Sequence, residues 1–328
     1  MRDPFKIDGP TCISFSGGRT SAYMLWRVLQ ANTAEDLQRW LVITFANTGL
    51  EHDETLVFVR ECAVRWGVTV NWVEYRNDEA GFALVDFDSA SRNGEPFEAI
   101  IKKRQYLPNP VTRFCMSELK IRAMHKYLRS LGWHESDDGW DQFIGIRADE
   151  PSRVSRIRAR GHSTESRKET MCMPLADAGV SVRDVDAFWH AQPFNLNLPT
   201  YGGRTLAGNC VLCFLKPRTQ VASLISEVPQ RAVWWARQET ETAQAFDSLK
   251  GPQPVYVWKY DADLDDEVKV PLLAADGVTP VMRPPDKAGA NFRSDRPSYS
   301  AMLQTALTQG DLFPHDPDEE AIACFCGD

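Results

Sequence analysis

Between Thr11 and Arg147 the chain alternates short apolar runs with longer stretches in helical period, and that alternation restricts the fold most. "TCISF" (11–15), "LVITFAN" (41–47), "VTVNWVEY" (68–75) and "DQFIGIR" (141–147) read as strands. Residues 20–31, 53–67 and 117–132 read as helices; in the second, Leu56, Val59, Ala63 and Trp66 repeat at spacings near one turn. Strands separated by helices of this length predict a mostly parallel, doubly wound α/β sheet with both faces covered. Ligands of such sheets bind beyond the carboxyl ends of the strands. Residues 76–112 and the basic run "RVSRIRARGHSTESRK" (153–168) read as irregular, "MCMPLAD" (171–177) as a strand, and 181–192 as a helix capped by Ser181. Helices are also expected at 229–246 and over "SYSAMLQTALTQG" (298–310). The expected division is an α/β domain over 1–200 and a mainly helical, cysteine-bearing region over 201–328.

The corner after the first strand reads "SFSGGRTS" (14–21). A glycine-rich turn entering a helix aims backbone N–H groups at one point, and the helix dipole adds partial positive charge there. Gly17 and Gly18 allow close approach, while Ser16, Thr20 and Ser21 supply hydroxyls and Arg19 a cation. The sequence has neither the Walker A Gly-Lys-Ser/Thr nor GxGxxG, so the corner is either another kind of phosphate loop or a plain capped turn.

A net charge of −8 argues against broad non-specific nucleic-acid binding while leaving room for a local basic groove, which the 153–168 run would suit if it is not simply a solvated loop. "MRDPFKIDGP" has no apolar signal core and no run reaches a membrane span, so a cytoplasmic location away from membranes is expected. Eight cysteines are too scattered for a disulfide scaffold. Cys210 and Cys213 form CxxC, a turn suited to zinc or an iron–sulfur cluster, and Cys324 and Cys326 form CxC near the end. Cys12, Cys62 and Cys172 have apolar neighbours and read as core. The six histidines show no metal spacing.

"SGGRTS" resembles the PP-loop of the ATP pyrophosphatases and of the phosphoadenosine phosphosulfate (PAPS) reductase family, with Arg19-Thr20 where many members carry Lys-Asp. "FANTGLEHDET" (45–55), "RFCMSELKIRAM" (113–124), "GIRADEPSR" (145–153) and "MPLADAGVSVRDVDAFW" (173–189) are similar to further family elements, in the same order. The resemblance runs from about Cys12 to Lys216 and implies an adenine nucleotide, with ATP, PAPS or adenylyl sulfate as ligand and Mg²⁺ as companion. It implies phosphate contacts from Ser16 through Ser21 and an adenine or ribose contact from Asn47, Thr48 and Gly49. Glu51 is either a Mg²⁺ or hydroxyl ligand or a helix-start carboxylate. Arg147 and Arg153 are either a clamp for sulfate or phosphate or a surface network with Glu150. Lys120 is expected beside any cofactor at Cys115.

Cys115, Cys210 and Cys213 match three of the four ligands of the family's [4Fe-4S] cluster, and Cys326 or Cys324 would complete the set or the fourth iron would stay open. The terminal "CFCGD" lacks the Glu and His that flank the family's nucleophilic cysteine, so Cys326 is a candidate mobile nucleophile in a departing context. The leading expectation is therefore ATP-dependent iron–sulfur sulfur transfer to a nucleic-acid or small-molecule acceptor. A sulfur-donor or thiol-reductant protein would be the partner, and a homo-oligomer is allowed. The alternatives are a PAPS or adenylyl-sulfate reductase, and a nucleotide-binding module whose cysteines hold structural zinc.

Overall fold

A computed structural model describes residues 3–133, 139–201, 204–205, 207–248, 253–254, 256–261, 266–283 and 287–309. Its centre is a six-stranded sheet of β1 (Thr11–Ser14), β2 (Leu41–Asn47), β3 (Asn71–Tyr75), β4 (Phe82–Val85), β5 (Trp140–Ile144) and β6 (Glu169–Cys172), in the order β4-β3-β2-β1-β5-β6. The ladders β3/β2, β2/β1, β1/β5 and β5/β6 are parallel, and only the edge strand β4 runs antiparallel, against β3. Cys12, Ile13, Ile43, Phe45, Val73 and Phe143 are buried, as strands covered on both faces require.

Eleven helices surround or follow the sheet among those described up to Glu227 and beyond: α1 (Arg19–Ala31), α2 (Ala34–Trp40), α3 (Asp53–Trp66), α4 (Glu95–Arg104), α5 (Phe114–Met116), α6 (Ala123–Ser130), α7 (Pro151–Arg160), α8 (Pro174–Asp177), α9 (Val182–His190), α10 (Arg218–Glu227) and α11 (Ala232–Ser248). A further helix, α12 (Tyr299–Gln309), follows two short antiparallel ribbons, one of them pairing Tyr256–Asp261 with Asp266–Pro271. None of the described helices is long and apolar enough to cross a membrane.

Local chemistry explains the ends of these elements. Gly67, at φ +64°, closes α3 in the left-handed conformation and donates to Ala63 and Val64. Ser181 and Asp184 form a reciprocal capping box at the start of α9, the cap expected from sequence.

Three segments differ from expectation. The stretch 76–112 is not irregular throughout: it contains β4 and α4, whose Glu95-Pro96 start and Lys102-Lys103-Arg104 end follow the helix dipole. The basic run begins as α7, an amphipathic helix that buries Val154 and Ile157 between its arginines. "MCMPLAD" divides at Met173, with strand before it and the short helix α8 after it, because Pro174 cannot continue a strand ladder.

The hydrophobic core runs without a break from Phe5 to Met302, and the aromatic side chains of Trp234, Trp235, Phe292 and Tyr299 pack onto Phe97 of α4 and onto one another. Glu239 of α11 lies inside this cluster, accepting the N–H groups of Tyr299 (2.7 Å) and Phe292 (3.3 Å). Burial outweighs these bonds and pushes its carboxyl up to about 7. The folded state therefore holds a proton there after the unfolded chain has lost it. Stability is greatest below the ordinary carboxylate range and falls as pH rises towards 7, by on the order of 3 kcal/mol in total. Glu239→Gln is expected to flatten that fall, as read from urea midpoints between acid and neutral pH.

Candidate functional site

The sheet reverses its order at β1, which has β2 on one side and β5 on the other. A cleft opens at the carboxyl ends of these three strands. Its walls are Ser14, Phe15, Ser16 and Ser21 from the glycine corner, Ala46 from β2, Ile144, Gly145 and Ile146 from β5, and Met116, Lys120, Ile121 and Met124 from the helix opposite. The mouth of a doubly wound sheet at its switch point is where such folds bind ligands. The apolar side chains suit a planar base, while the hydroxyls and the start of α1 suit phosphate.

The corner itself is tightly constrained. Gly17 has φ +77°, and a Cβ there would lie 2.6 Å from Thr55 Cγ2 and 3.2 Å from Phe45 Cε2 and Val59 Cγ2. Only glycine fits both the backbone and the space. Ser21 Oγ donates to the Gly18 carbonyl (3.0 Å) and accepts from Ser16 N (3.2 Å), and the two serine hydroxyls are 2.9 Å apart. Gly18 caps α1, whose first-turn N–H groups have no partners within the helix.

The other two corner residues are turned to neighbouring elements. Arg19 pairs with Asp186 of α9 at 3.0 Å, and its carbonyl accepts from the indole of the buried Trp189. Thr20 accepts from Arg147 Nη1 at 3.1 Å, so the loop after β5 is tied to the corner. Gly145 completes this contact: a Cβ there would sit 2.9 Å from Ser21 Cα. Gly145→Ala is expected to cost about 1–3 kcal/mol through overpacking. It should also weaken phosphate binding at the corner, seen as a smaller ATP-induced rise in melting temperature.

Arg147 and Arg153 both reach Glu150, and Arg147 also bonds Asp149 (2.9 Å). Arg153 keeps one buried terminal nitrogen without an acceptor among the described residues. The two guanidinium groups thus converge beside the corner, within an Arg–Glu–Asp network. Neither is among the residues lining the first cavity.

Asn47 is turned away from that cavity. Its amide donates to Glu74 (2.6 Å) and to the Ser91 carbonyl (2.9 Å), bracing β2 against β3. Gly49 takes φ +77° with Gly94 and Pro96 about 3 Å from where a Cβ would stand. Glu51 accepts from Thr48 N (2.9 Å), Thr48 Oγ1 (2.8 Å) and Leu50 N (3.2 Å), and its other contact is the Cys210 thiol at 3.9 Å. The turn at 47–51 therefore contacts Cys210 and takes no part in the lining of the first cavity.

A second, narrow cavity is lined by Thr48, Cys115, Met116, Lys120, Cys210 and Cys213 among others. Met116 and Lys120 line both cavities. Met116 precedes, and Lys120 lies within, a break in the helix where Ser117–Arg122 forms a π-helical turn between α5 and α6. Such turns insert one residue and re-aim side chains, and they recur at functional sites. Here Leu119 enters the core and Glu118 pairs with Arg104 and Arg122, while Lys120 faces the cavities.

The CxxC turn is held in an unfavourable shape. Asn209 and Leu212 have φ +64° and +55°, and Leu212 is fully buried. A bulky residue in that region carries strain that its surroundings must offset. Tyr299 Oη donates to its carbonyl at 2.6 Å, and Val211 N donates to Leu50 O at 2.7 Å. Cys210 Sγ lies 3.4 Å from Thr48 Oγ1. Behind the turn, burial together with Arg231 and Lys216 holds His52 down to about 4, so its imidazole is neutral near pH 7.

The six described cysteines form no disulfide. Among the described residues no three His, Cys, Asp or Glu side chains close on one ion-sized centre. Cys115, Cys210 and Cys213 nonetheless share one cavity wall, and three soft thiols are the donor set that iron–sulfur clusters and zinc take. Cys326 and Cys324 lie outside the described residues. Cys12 and Cys62 are buried in the core as expected, with burial pushing the Cys12 thiol up to about 12, whereas Cys172 is only half-buried. Sequence reasoning missed the base-sized apolar wall of Met116, Ile121, Met124, Ile144 and Ile146; the signal was there in "FIGI", which ends β5 beside the glycine corner.

No protein-family model matches the chain. A phosphoadenylyl-sulfate (PAPS) reductase from Candida auris, solved as a phosphate complex, aligns with 59% of this chain and 81% of its own at 14% identity and a TM-score of 0.36, an overlap too loose to transfer any residue. The nin region protein ORF290 of Escherichia phage lambda is 30% identical over 220 residues, which make up 64% of this chain and 67% of that protein. Identity of that extent over 220 residues is inheritance of one fold, and the chain belongs to the family of the phage lambda nin region protein ORF290.

Proposed function

We propose that the chain binds an adenine nucleotide at the glycine corner and carries out sulfur chemistry at the adjoining thiol cavity, as an ATP-dependent sulfurtransferase. The observation that carries this reading is the shared wall: Met116 and Lys120 line both cavities, so phosphate chemistry and thiols lie next to one another. The base would rest between Phe15, Met124 and Ile146, and the phosphates would take the Ser16 and Ser21 hydroxyls and the N–H groups that begin α1. The Ser16–Ser21 hydrogen bonds would open as phosphate oxygens replace them. Lys120 would offset negative charge that builds on the phosphates during reaction. Arg147, through Thr20, holds the corner in place.

In this scheme an acceptor oxygen attacks the α-phosphorus of ATP and pyrophosphate leaves. A sulfur nucleophile brought by a donor protein then displaces AMP from the activated acceptor. Mg²⁺ would travel with the ATP phosphates. Cys115, Cys210 and Cys213 would hold a [4Fe-4S] cluster, with Cys326 or Cys324 as further candidates; such a cluster supplies electrons or a site for sulfur. Thr48 and Glu51, both in contact with Cys210, would orient that thiol.

The test is the full chain purified without oxygen and assayed with ATP, PAPS and adenylyl sulfate, with iron, zinc and sulfide measured. Saturable ATP binding with iron and sulfide present is expected. Sulfite release from PAPS or adenylyl sulfate would instead make it a reductase. A colourless zinc protein that binds no nucleotide would overturn the reading.

A further inference from the structure

A third cavity, of about 350 Å³, opens beside the thiol turn, and of its lining only Glu51 enters the scheme above. Leu50, Glu51 and Val211 form its inner wall, and Val211 N donates to Leu50 O at 2.7 Å within that wall. Its remaining lining includes Arg92, Arg231, Arg237, Val233 and Trp234. Three guanidinium groups thus stand around one opening in a chain whose net charge is −8.

The three arginines differ in what already engages them. Arg92 donates to the carbonyls of Ala90 (2.8 Å) and Phe87 (2.6 Å) and is 3.4 Å from Asp53, so it braces its loop. Arg237 pairs with Glu98 at 2.9 Å. The Arg231 side chain has no hydrogen bond or ion pair among the described residues, although it stands at the half-buried start of α11. Its charge is felt inward, where it helps hold His52 neutral. The one carboxylate in the lining, Glu51, is already occupied by its own turn.

We infer that this cavity takes a phosphate group of a second ligand, the sulfur acceptor, and so presents that ligand to the thiol turn. Guanidinium forks match phosphate oxygens in pairs, and the N-terminus of α11 adds partial positive charge. Trp234 offers an indole face beside them for an apolar or planar portion of the ligand. The inference rests on the sulfur-transfer reading for its purpose but not for its chemistry, which is phosphate recognition alone. Phosphate of this kind comes either from a small phosphate ester or from a nucleic-acid strand.

The experiment uses the full chain with ATP present to fill the glycine corner. Binding of a fluorescein-labelled single-stranded 12-mer is followed by anisotropy, with unlabelled 12-mer and glycerol phosphate as competitors. Arg231→Gln, which removes a charge with no internal partner, is expected to weaken probe or competitor binding about ten-fold. Val233→Glu, at an exposed lining position, should weaken it as much by placing a carboxylate in the opening. Both variants should keep ATP binding unchanged. Competition by glycerol phosphate alone would point to a small ester; tighter binding of the 12-mer that falls steeply with salt would point to a strand. Equal binding by wild type and both variants, or no binding of either probe while ATP still binds, would overturn this inference and leave the nucleotide site standing. Loss of ATP binding in wild type would count against the sulfur-transfer reading instead.

Discussion

Gly17→Ala is expected to abolish useful nucleotide binding and to cost about 2–5 kcal/mol of stability. Two penalties combine. The residue sits at φ +77°, where an L side chain is strained by about 1–2 kcal/mol. Its Cβ would also stand 2.6 Å from Thr55 Cγ2 on α3, and overpacking of that kind costs a further 1–3 kcal/mol, roughly. Relief requires the corner to rise from α3, which moves Ser16, Gly18 and the first N–H groups of α1 away from any bound phosphate. A matched control separates the two penalties. Gly67 is also left-handed, at φ +64°, but a Cβ there meets nothing within 4 Å. Gly67→Ala should lose only the conformational part, about 1 kcal/mol, and bind ATP as the wild type does. Urea melts and ATP titrations of both variants check the pair; equal effects of the two on ATP binding would remove the corner from the site.

Cys210→Ser is expected to remove bound metal and to lower any sulfur-transfer activity by about a hundred-fold or more. Cys210 lies 3.4 Å from Thr48 Oγ1 and 3.9 Å from Glu51 Oε1, on the wall of the thiol cavity. Serine keeps the size and the Thr48 contact but is a poor ligand for a soft metal. Cys213→Ser should behave alike. Cys172→Ser should not, because Cys172 lies on β6 outside that cavity. Iron and sulfide content per chain is the readout, and a Cys210→Ser protein with full metal would exclude the residue as a ligand.

Much of the fold was legible because its central strands are covered on both faces and so read as continuous apolar runs. "LVITFAN" is β2 to the residue, and the helix from Asp53 ends at Trp66, just before the glycine that caps it. The misses have physical causes. β4 is a short, half-buried edge strand with too little periodicity to register. In α7, charge hid the period: four arginines in ten residues mask a buried stripe of only Val154 and Ile157. At the site, the glycine corner was legible as a strand-to-helix turn because two adjacent glycines between an apolar run and a helical period mark one. The direction of side chains was not. Arg19 points to Asp186, Asn47 to Glu74 and Glu51 to Cys210, partners that lie 167, 27 and 159 residues away. No local pattern could show such pairings. The neighbourhood of Lys120 with both cavities likewise depends on a π-helical turn that propensity alone does not announce.

The claim on which the account rests is that an adenine nucleotide occupies the switch-point cavity, against the wall that it shares with the thiols. Photo-crosslinking with 8-azido-ATP, followed by mapping of the labelled peptides, tests it directly. Labels are predicted within 14–21, 116–124 or 144–146, suppressed by excess ATP and lost in Gly17→Ala. Labelling that ATP suppresses but that falls wholly outside those segments would contradict the account.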